Sequence, residues 1–125
     1  MALARIMVVD DEIAYCEVMA EILKSRDYEV RTAHAVPHAM DVLNDFDPDL
    51  ILMDVMMPGS DGLSLVRQLR QQVEHRNIPI IIISALALSH DRQRALDAGA
   101  NEFLPKPFTP TELHEAIARY VSVSV

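Results

Sequence analysis

Leu50-Ile-Leu-Met-Asp54 sets four apolar side chains in a row and closes them with a carboxylate. A short run of this kind, with no polar alternation, reads as a strand buried on both faces by covering helices, the habit of parallel sheets. Arg5-Ile-Met-Val-Val-Asp10 has the same form, as does Ile78-Pro-Ile-Ile-Ile-Ile-Ser84. Glu102-Phe-Leu104 is a shorter candidate of the same kind. Tyr28-Glu-Val-Arg-Thr32 alternates instead, which marks an edge strand with one half-exposed face.

Helical spacing fills the intervals. Ile13, Cys16, Met19, Ala20 and Leu23 share one face of a first helix, and Pro37 suits the first turn of a second that carries Ala39, Val42, Leu43 and Phe46. Leu63, Val66, Leu69 and Val73 form the stripe of a third, while Ser89 to Ala98 is a fourth, thin in apolar residues and stopped by Gly99. Thr109-Pro-Thr-Glu112 is a capping box with proline at the first helical position, opening a fifth helix with Leu113, Ala116, Ile117 and Tyr120. Strand and helix alternate throughout, so the expected class is α/β. The architecture is a five-stranded parallel sheet, order 2-1-3-4-5, with five helices on both faces, a flavodoxin-like arrangement. The site of such a sheet lies beyond the carboxyl ends of its strands, where the order reverses between the first and third.

Composition narrows the function. The chain has 125 residues, 50% of them hydrophobic and 24% charged, which suits one globular domain spanning 1–125. Nineteen acidic residues against 11 basic ones give a net charge of −8, and Lys and Arg never form a run, so direct nucleic-acid binding is not expected. The longest nearly apolar stretch, Ile78 to Leu88, has 11 residues, whereas a membrane-spanning helix needs about 20. One cysteine and no signal-peptide pattern at the N-terminus point to a cytoplasmic setting.

The chemistry gathers at the strand ends. Asp10-Asp11-Glu12 follows the first strand, Asp54 ends the third, Ser84 ends the fourth, and Lys106-Pro107 follows the fifth. A carboxylate closing a central strand is costly unless paired or bound to metal. Asp10 and Asp11 add like-charge repulsion, which a hard divalent cation with oxygen ligands relieves; Mg²⁺ fits, with Lys106 offsetting one further charge. Aspartate can act as a nucleophile towards phosphorus, forming an acyl phosphate. The metal, Lys106 and the Ser84 hydroxyl would then share the three phosphoryl oxygens.

Each residue has a plainer reading when taken alone. Asp10-Asp11-Glu12 would cap the first helix, Ser84 would be a solvated strand end, and Lys106 a surface lysine. Pro58-Gly59 and Asp61-Gly62 are turn and helix-start signals. Cys16 reads as a buried inert thiol. His34, His38, His75, His90 and His114 lack metal-ligand spacing or a paired nucleophile and read as solvated.

In order, these segments resemble the receiver domain of two-component response regulators over essentially the whole chain. The motifs are Val8-Val-Asp-Asp-Glu12, Asp54-Val-Met-Met-Pro-Gly-Ser-Asp-Gly62, Ile82-Ile-Ser-Ala85 and Ala98-Gly-Ala-Asn-Glu-Phe-Leu-Pro-Lys-Pro-Phe108. Asp11 to Asp54 is 43 residues, Asp54 to Ser84 is 30, and Ser84 to Lys106 is 22, in agreement with the family. The resemblance implies that Asp54 accepts a phosphoryl group from the phosphohistidine of a sensor histidine kinase or phosphotransfer protein. It implies that Asp11, Asp54 and the backbone carbonyl of Met56 bind Mg²⁺ directly, with Asp10 acting through water. Lys106 would contact the phosphoryl group, and the Lys106–Pro107 bond would be cis. Ser84 would move towards the phosphate and let Phe103 turn inward, remodelling the surface of the fourth helix, fifth strand and fifth helix. Effector proteins, an output domain or a second copy of the chain would dock on that surface.

Met56 and Leu86 lie two residues beyond Asp54 and Ser84; as apolar screens against water they imply a phosphoryl lifetime longer than minutes. The resemblance implies self-catalysed uptake and slow hydrolysis, without turnover of an external substrate. Other classes are a Mg²⁺-dependent aspartyl-phosphate phosphatase, whose nucleophile would usually sit on the first strand, and a phosphate-independent interaction module.

Overall fold

The computed structural model describes residues 4–54, 62–85 and 89–121. Five strands, β1 (Arg5–Val9), β2 (Glu29–Ala33), β3 (Leu50–Asp54), β4 (Ile80–Ser84) and β5 (Glu102–Pro105), form one sheet in the order β2-β1-β3-β4-β5. All four pairings are parallel. Between them run α1 (Ile13–Lys24), α2 (Val36–Phe46), α3 (Gly62–Gln71), α4 (Ser89–Ala98) and α5 (Pro110–Ala118).

Alternation along each strand divides the core in two. Met7, Val9, Ile51, Met53, Ile80 and Ile82 face α2, α3 and α4 in one buried cluster. Ile6, Val8, Leu50, Leu52, Ile81 and Ile83 face α1 and α5 in the other. Every residue of β3 and β4 is buried, so both faces of the central strands exclude water, as their unbroken apolar runs predict. β2 keeps an exposed face, as an edge strand should.

Local signals act where expected. In the capping box before α5, the Glu112 N–H donates to the Thr109 hydroxyl and the Thr109 N–H donates to the Glu112 carboxylate. Gly99 ends α4 at φ +120°, a backbone conformation that side-chain-bearing residues avoid. Among its described side chains α4 buries only Ala95 and Ala98, while Leu96 stays 37% exposed, so its hold on the sheet is thin.

Several expectations need correction: β2 runs Glu29–Ala33 rather than Tyr28–Thr32, and α5 stops at Ala118, before Tyr120. The expected third-helix stripe ran on to Val73, but α3 stops at Gln71 and Val73 is 74% exposed in the turn that follows. Ile13 fits the apolar period of α1 but is 59% exposed, because it begins the helix at the sheet rim with no strand beneath it. β4 starts at Ile80 instead of Ile78: Pro79 has no N–H to donate, although its carbonyl still accepts from Ile51. No described helix is long and apolar enough to cross a membrane.

Candidate functional site

Strand register assembles the site. Val9 pairs with Met53, Asp54 with Ile83, and Ser84 with Pro105, so Asp10, Asp54, Ser84 and Lys106 leave the sheet side by side at its carboxyl rim. Strand alternation places Asp10 and Asp54 on the α1–α5 side. The cation also comes from that side. Lys106 Nζ donates to Asp54 Oδ2 at 3.0 Å and lies 3.6 Å from Asp10 Oδ2. Its reach is set by the main chain: the Lys106 N–H donates to the Ser84 carbonyl at 2.8 Å, and the Lys106–Pro107 bond is cis, as the resemblance implies.

Asp10 is 2% exposed and Asp54 8%. Asp10 is held at every polar group. Its N–H donates to Ala33 at 3.0 Å. Its carbonyl accepts from Cys16 Sγ at 3.4 Å and His34 Nδ1 at 3.3 Å, and its Oδ1 accepts the Glu12 N–H at 3.0 Å. Burial pushes the Asp10 carboxyl above its ordinary range, against the pull of the Glu12 N–H, and the Asp54 charge adds to the rise. Burial also pulls on Lys106 in the opposite sense, but the hydrogen bond and charge of Asp54, with Asp10, outweigh it and keep the ammonium protonated above its ordinary range.

Ser84 is fully buried at the end of β4, and Phe103 is 5% exposed in the α2–α3–α4 cluster, opposite Ile82, two residues before Ser84 on the same face. Asp11 is exposed at the rim. Met56 and Leu86 lie outside the described residues, as do Pro58, Gly59 and Asp61. Among the described residues no three His, Cys, Asp or Glu side chains converge into a ready metal cage. The donor set nevertheless suits a hard cation. Among the described residues the two buried carboxylates of Asp10 and Asp54 share one ammonium, the exposed Asp11 stands beside them in sequence, and all the donors are oxygen.

Two neighbours escaped sequence reasoning. Lys106 Nζ sits 4.0 Å from the centroid of the Tyr15 ring, and His34 anchors the Asp10 main chain. The one available signal for Tyr15 is its place one helical turn beyond Asp11. Cys16 is buried as expected, its thiol pushed up to about 11 chiefly by burial and then by Asp10. The reading of the histidines as solvated holds for His38 but fails for His75. That residue is 7% exposed, because the turn after α3 folds it inward through bonds from its N–H to Gln72 and from Ile78 to its carbonyl. His34 and His114 are half-buried.

A doubly wound parallel sheet with two buried aspartates and a lysine at its carboxyl rim places an acidic site where such sheets bind ligands. The chain belongs to the response regulator receiver domain family, whose sequence pattern matches residues 6–118. It is a receiver domain of two-component response regulators with the flavodoxin-like fold. Over 109 residues it is 37% identical to the phosphate regulon transcriptional regulatory protein PhoB of Klebsiella pneumoniae; the match covers 87% of this chain and 48% of that protein. The chain thus spans about half the length of the curated relatives it matches. The chemotaxis protein CheY4 of Vibrio cholerae superposes with a TM-score of 0.90 at 29% identity, over 96% of this chain and 100% of that one. The receiver domain of the sensor histidine kinase PA1611 of Pseudomonas aeruginosa, solved with a magnesium ion in its active-site cleft, superposes with a TM-score of 0.85 at 35% identity, over 95% and 98% of the two chains.

Proposed function

We propose that Asp54 is the phosphoryl acceptor of this receiver and that Lys106 is its counter-charge. The observation that carries the reading is the buried Asp54 carboxylate, 3.0 Å from the Lys106 ammonium at the carboxyl rim, with Asp10 within 3.6 Å of the same nitrogen. An Asp54 carboxylate oxygen attacks the phosphorus of a phosphohistidine on a sensor histidine kinase or phosphotransfer protein. The P–N bond breaks as the P–O bond forms, and the departing imidazole keeps the electron pair and takes up a proton. Charge spreads over the phosphoryl oxygens, where Lys106 and the Ser84 hydroxyl meet it. Asp11, Asp54 and the Met56 carbonyl would hold Mg²⁺ directly and Asp10 through water; when bound, the ion neutralises the acidic crevice and the incoming phosphoryl group.

The chain thus performs its own uptake and slow hydrolysis and does not turn over an external substrate. Ser84 moves towards the phosphoryl group, and Phe103, which is already buried in this structure, stays inward to match it. The surface of α4, β5 and α5 changes for an effector protein, an output domain or a second copy of the chain. A weakly anchored α4 suits that switch. The exchange takes place in the cytoplasm.

Incubation with Mg²⁺ and acetyl phosphate, followed by intact mass, tests the acceptor. One base-labile phosphoryl adduct is expected on the wild type, and none on Asp54→Asn or without Mg²⁺. A folded wild type that takes neither the adduct nor beryllofluoride would overturn the reading, as would an undiminished adduct on Asp54→Asn.

A further inference from the structure

Three groups surround the Lys106 ammonium: Asp54 Oδ2 at 3.0 Å, Asp10 Oδ2 at 3.6 Å, and the Tyr15 ring, with its centroid at 4.0 Å. Of these, Asp54 is the anion that the reaction changes. Once Asp54 carries a phosphoryl group, the oxygen that Lys106 holds belongs to an acyl phosphate, and the charge it faces moves outward. The ring stays as it was. Its electron-rich face attracts a cation without carrying a charge of its own, so it holds the ammonium without competing with the phosphoryl oxygens for it. A carboxylate in its place would compete, and an aliphatic side chain would leave a four-bond lysine arm free to turn.

We infer that Tyr15 is a positioning residue for this reaction, its ring the fixed wall against which Lys106 passes from the Asp54 carboxylate to a phosphoryl oxygen. The inference rests on the reading of Asp54 as acceptor. α1 supplies the rigidity. Tyr15 lies between the buried Cys16 and the Asp10-Asp11 turn, and Cys16, Met19 and Leu23 pin the helix to the sheet. Tyr15 itself is half-buried and packs against that same cluster, so its ring is braced from behind while its face meets the lysine. The phenol is held above its ordinary range, first by burial, which keeps it neutral. The ring face is the working part, and the hydroxyl is dispensable.

The test compares Tyr15→Phe and Tyr15→Leu in the full chain, with urea unfolding to confirm that each is folded and Tyr15→Met in reserve should the leucine variant not fold. Two readouts are taken: the uptake rate from acetyl phosphate at saturating Mg²⁺, and the ring-current shift of the Lys106 ε-methylene protons by NMR. Tyr15→Phe is expected to keep both. Tyr15→Leu is expected to lose the shift and to lower the maximal uptake rate about fivefold to tenfold. Half-saturation for acetyl phosphate should change little, because the loss falls in the reacting state. A folded leucine variant with wild-type rate and shift would overturn the inference, and so would a phenylalanine variant that falls as far as leucine. If the wild type itself takes no phosphoryl group, the acceptor reading fails. The methylene shift, and its loss in Tyr15→Leu, still reports whether the ring holds the lysine.

Discussion

The two rims of the sheet handle charge in opposite ways. At the amino rim, cations meet fixed acceptors in full. Arg70 donates from Nε to the Gly99 carbonyl at 2.8 Å, from Nη1 to Ile78 at 2.8 Å and Arg76 at 3.2 Å, and from Nη2 to Asn101 Oδ1 at 2.9 Å. Arg5 donates from its backbone N–H to Asp49 at 2.8 Å and from its guanidinium to the Phe46 carbonyl at 2.8 Å. Glu102 accepts from Arg119 and from Tyr120. At the carboxyl rim, buried Asp10 and Asp54 share one lysine. A rim whose charges are paired anchors the fold, whereas a rim where two carboxylates share one lysine can take up a cation and an anion together. Stability and function are thus placed at opposite ends of the same five strands.

The sharpest way to break that contrast is to remove the shared lysine. Lys106→Met is expected to cut phosphoryl uptake by about 100-fold or more, the cost of losing one preorganised charge at a developing oxyanion. Intact-mass kinetics with acetyl phosphate would show it, and a loss of only a few-fold would place the function elsewhere on the rim. The next largest effect belongs to the opposite rim. Arg70→Ala is expected to cost about 2–4 kcal/mol of stability in urea unfolding, since it strips a charged donor from carbonyls in two loops. Uptake by the folded variant should stay at the wild-type rate. Arg70→Lys should not restore stability, because an ammonium cannot reproduce the planar fork.

Acid gives the smallest and most discriminating effect. Burial raises the Asp10 carboxyl above 3.8, so the folded state favours its protonated form. The stability it contributes is present below 3.8 and is lost as pH rises through its folded value. Glu102 is the reverse. Burial pushes it up, but the bonds from Arg119 and Tyr120 outweigh burial and hold it below 4.5. Its contribution is present above 4.5 and is lost as pH falls through its folded value. In metal-free buffer at neutral pH, Asp10→Asn should therefore stabilise the fold and Glu102→Gln destabilise it, with both differences shrinking in acid. Urea unfolding at several pH values would show it, and both variants moving the same way would contradict the contrast between the rims.

Much of the carboxyl rim was legible because apolar runs end there on polar residues. Leu50 to Met53 closing on Asp54, and Ile80 to Ile83 closing on Ser84, announce both strand and site, and the structure puts those residues where the runs stop. The amino rim was silent. Arg70 follows Leu69 as a polar residue on a helix should, and its acceptors are main-chain carbonyls of loops that exist only once the chain is folded. Tyr15 was missed for a related reason, since an aromatic at helical spacing reads as packing and its partner lies on a distant loop. Val73 and Ile13 show the limit of periodicity. Both fit the helical period, but one falls beyond the end of its helix and the other stands at a rim with nothing to cover it.

By itself the sequence determined which segments are strands, that they pair in parallel between two helical layers, and which carboxylates stand at their ends. Those properties depend on local pattern and burial, which a 2.0- or 3.6-residue period encodes directly. Tertiary structure alone decided that Lys106 lies closer to Asp54 than to Asp10, that Tyr15 walls its ammonium, and that Arg70 ties the loops before β4 and β5 to α3. Each of these pairings joins residues far apart in the chain, and its geometry follows from strand register and loop path, which no local period records.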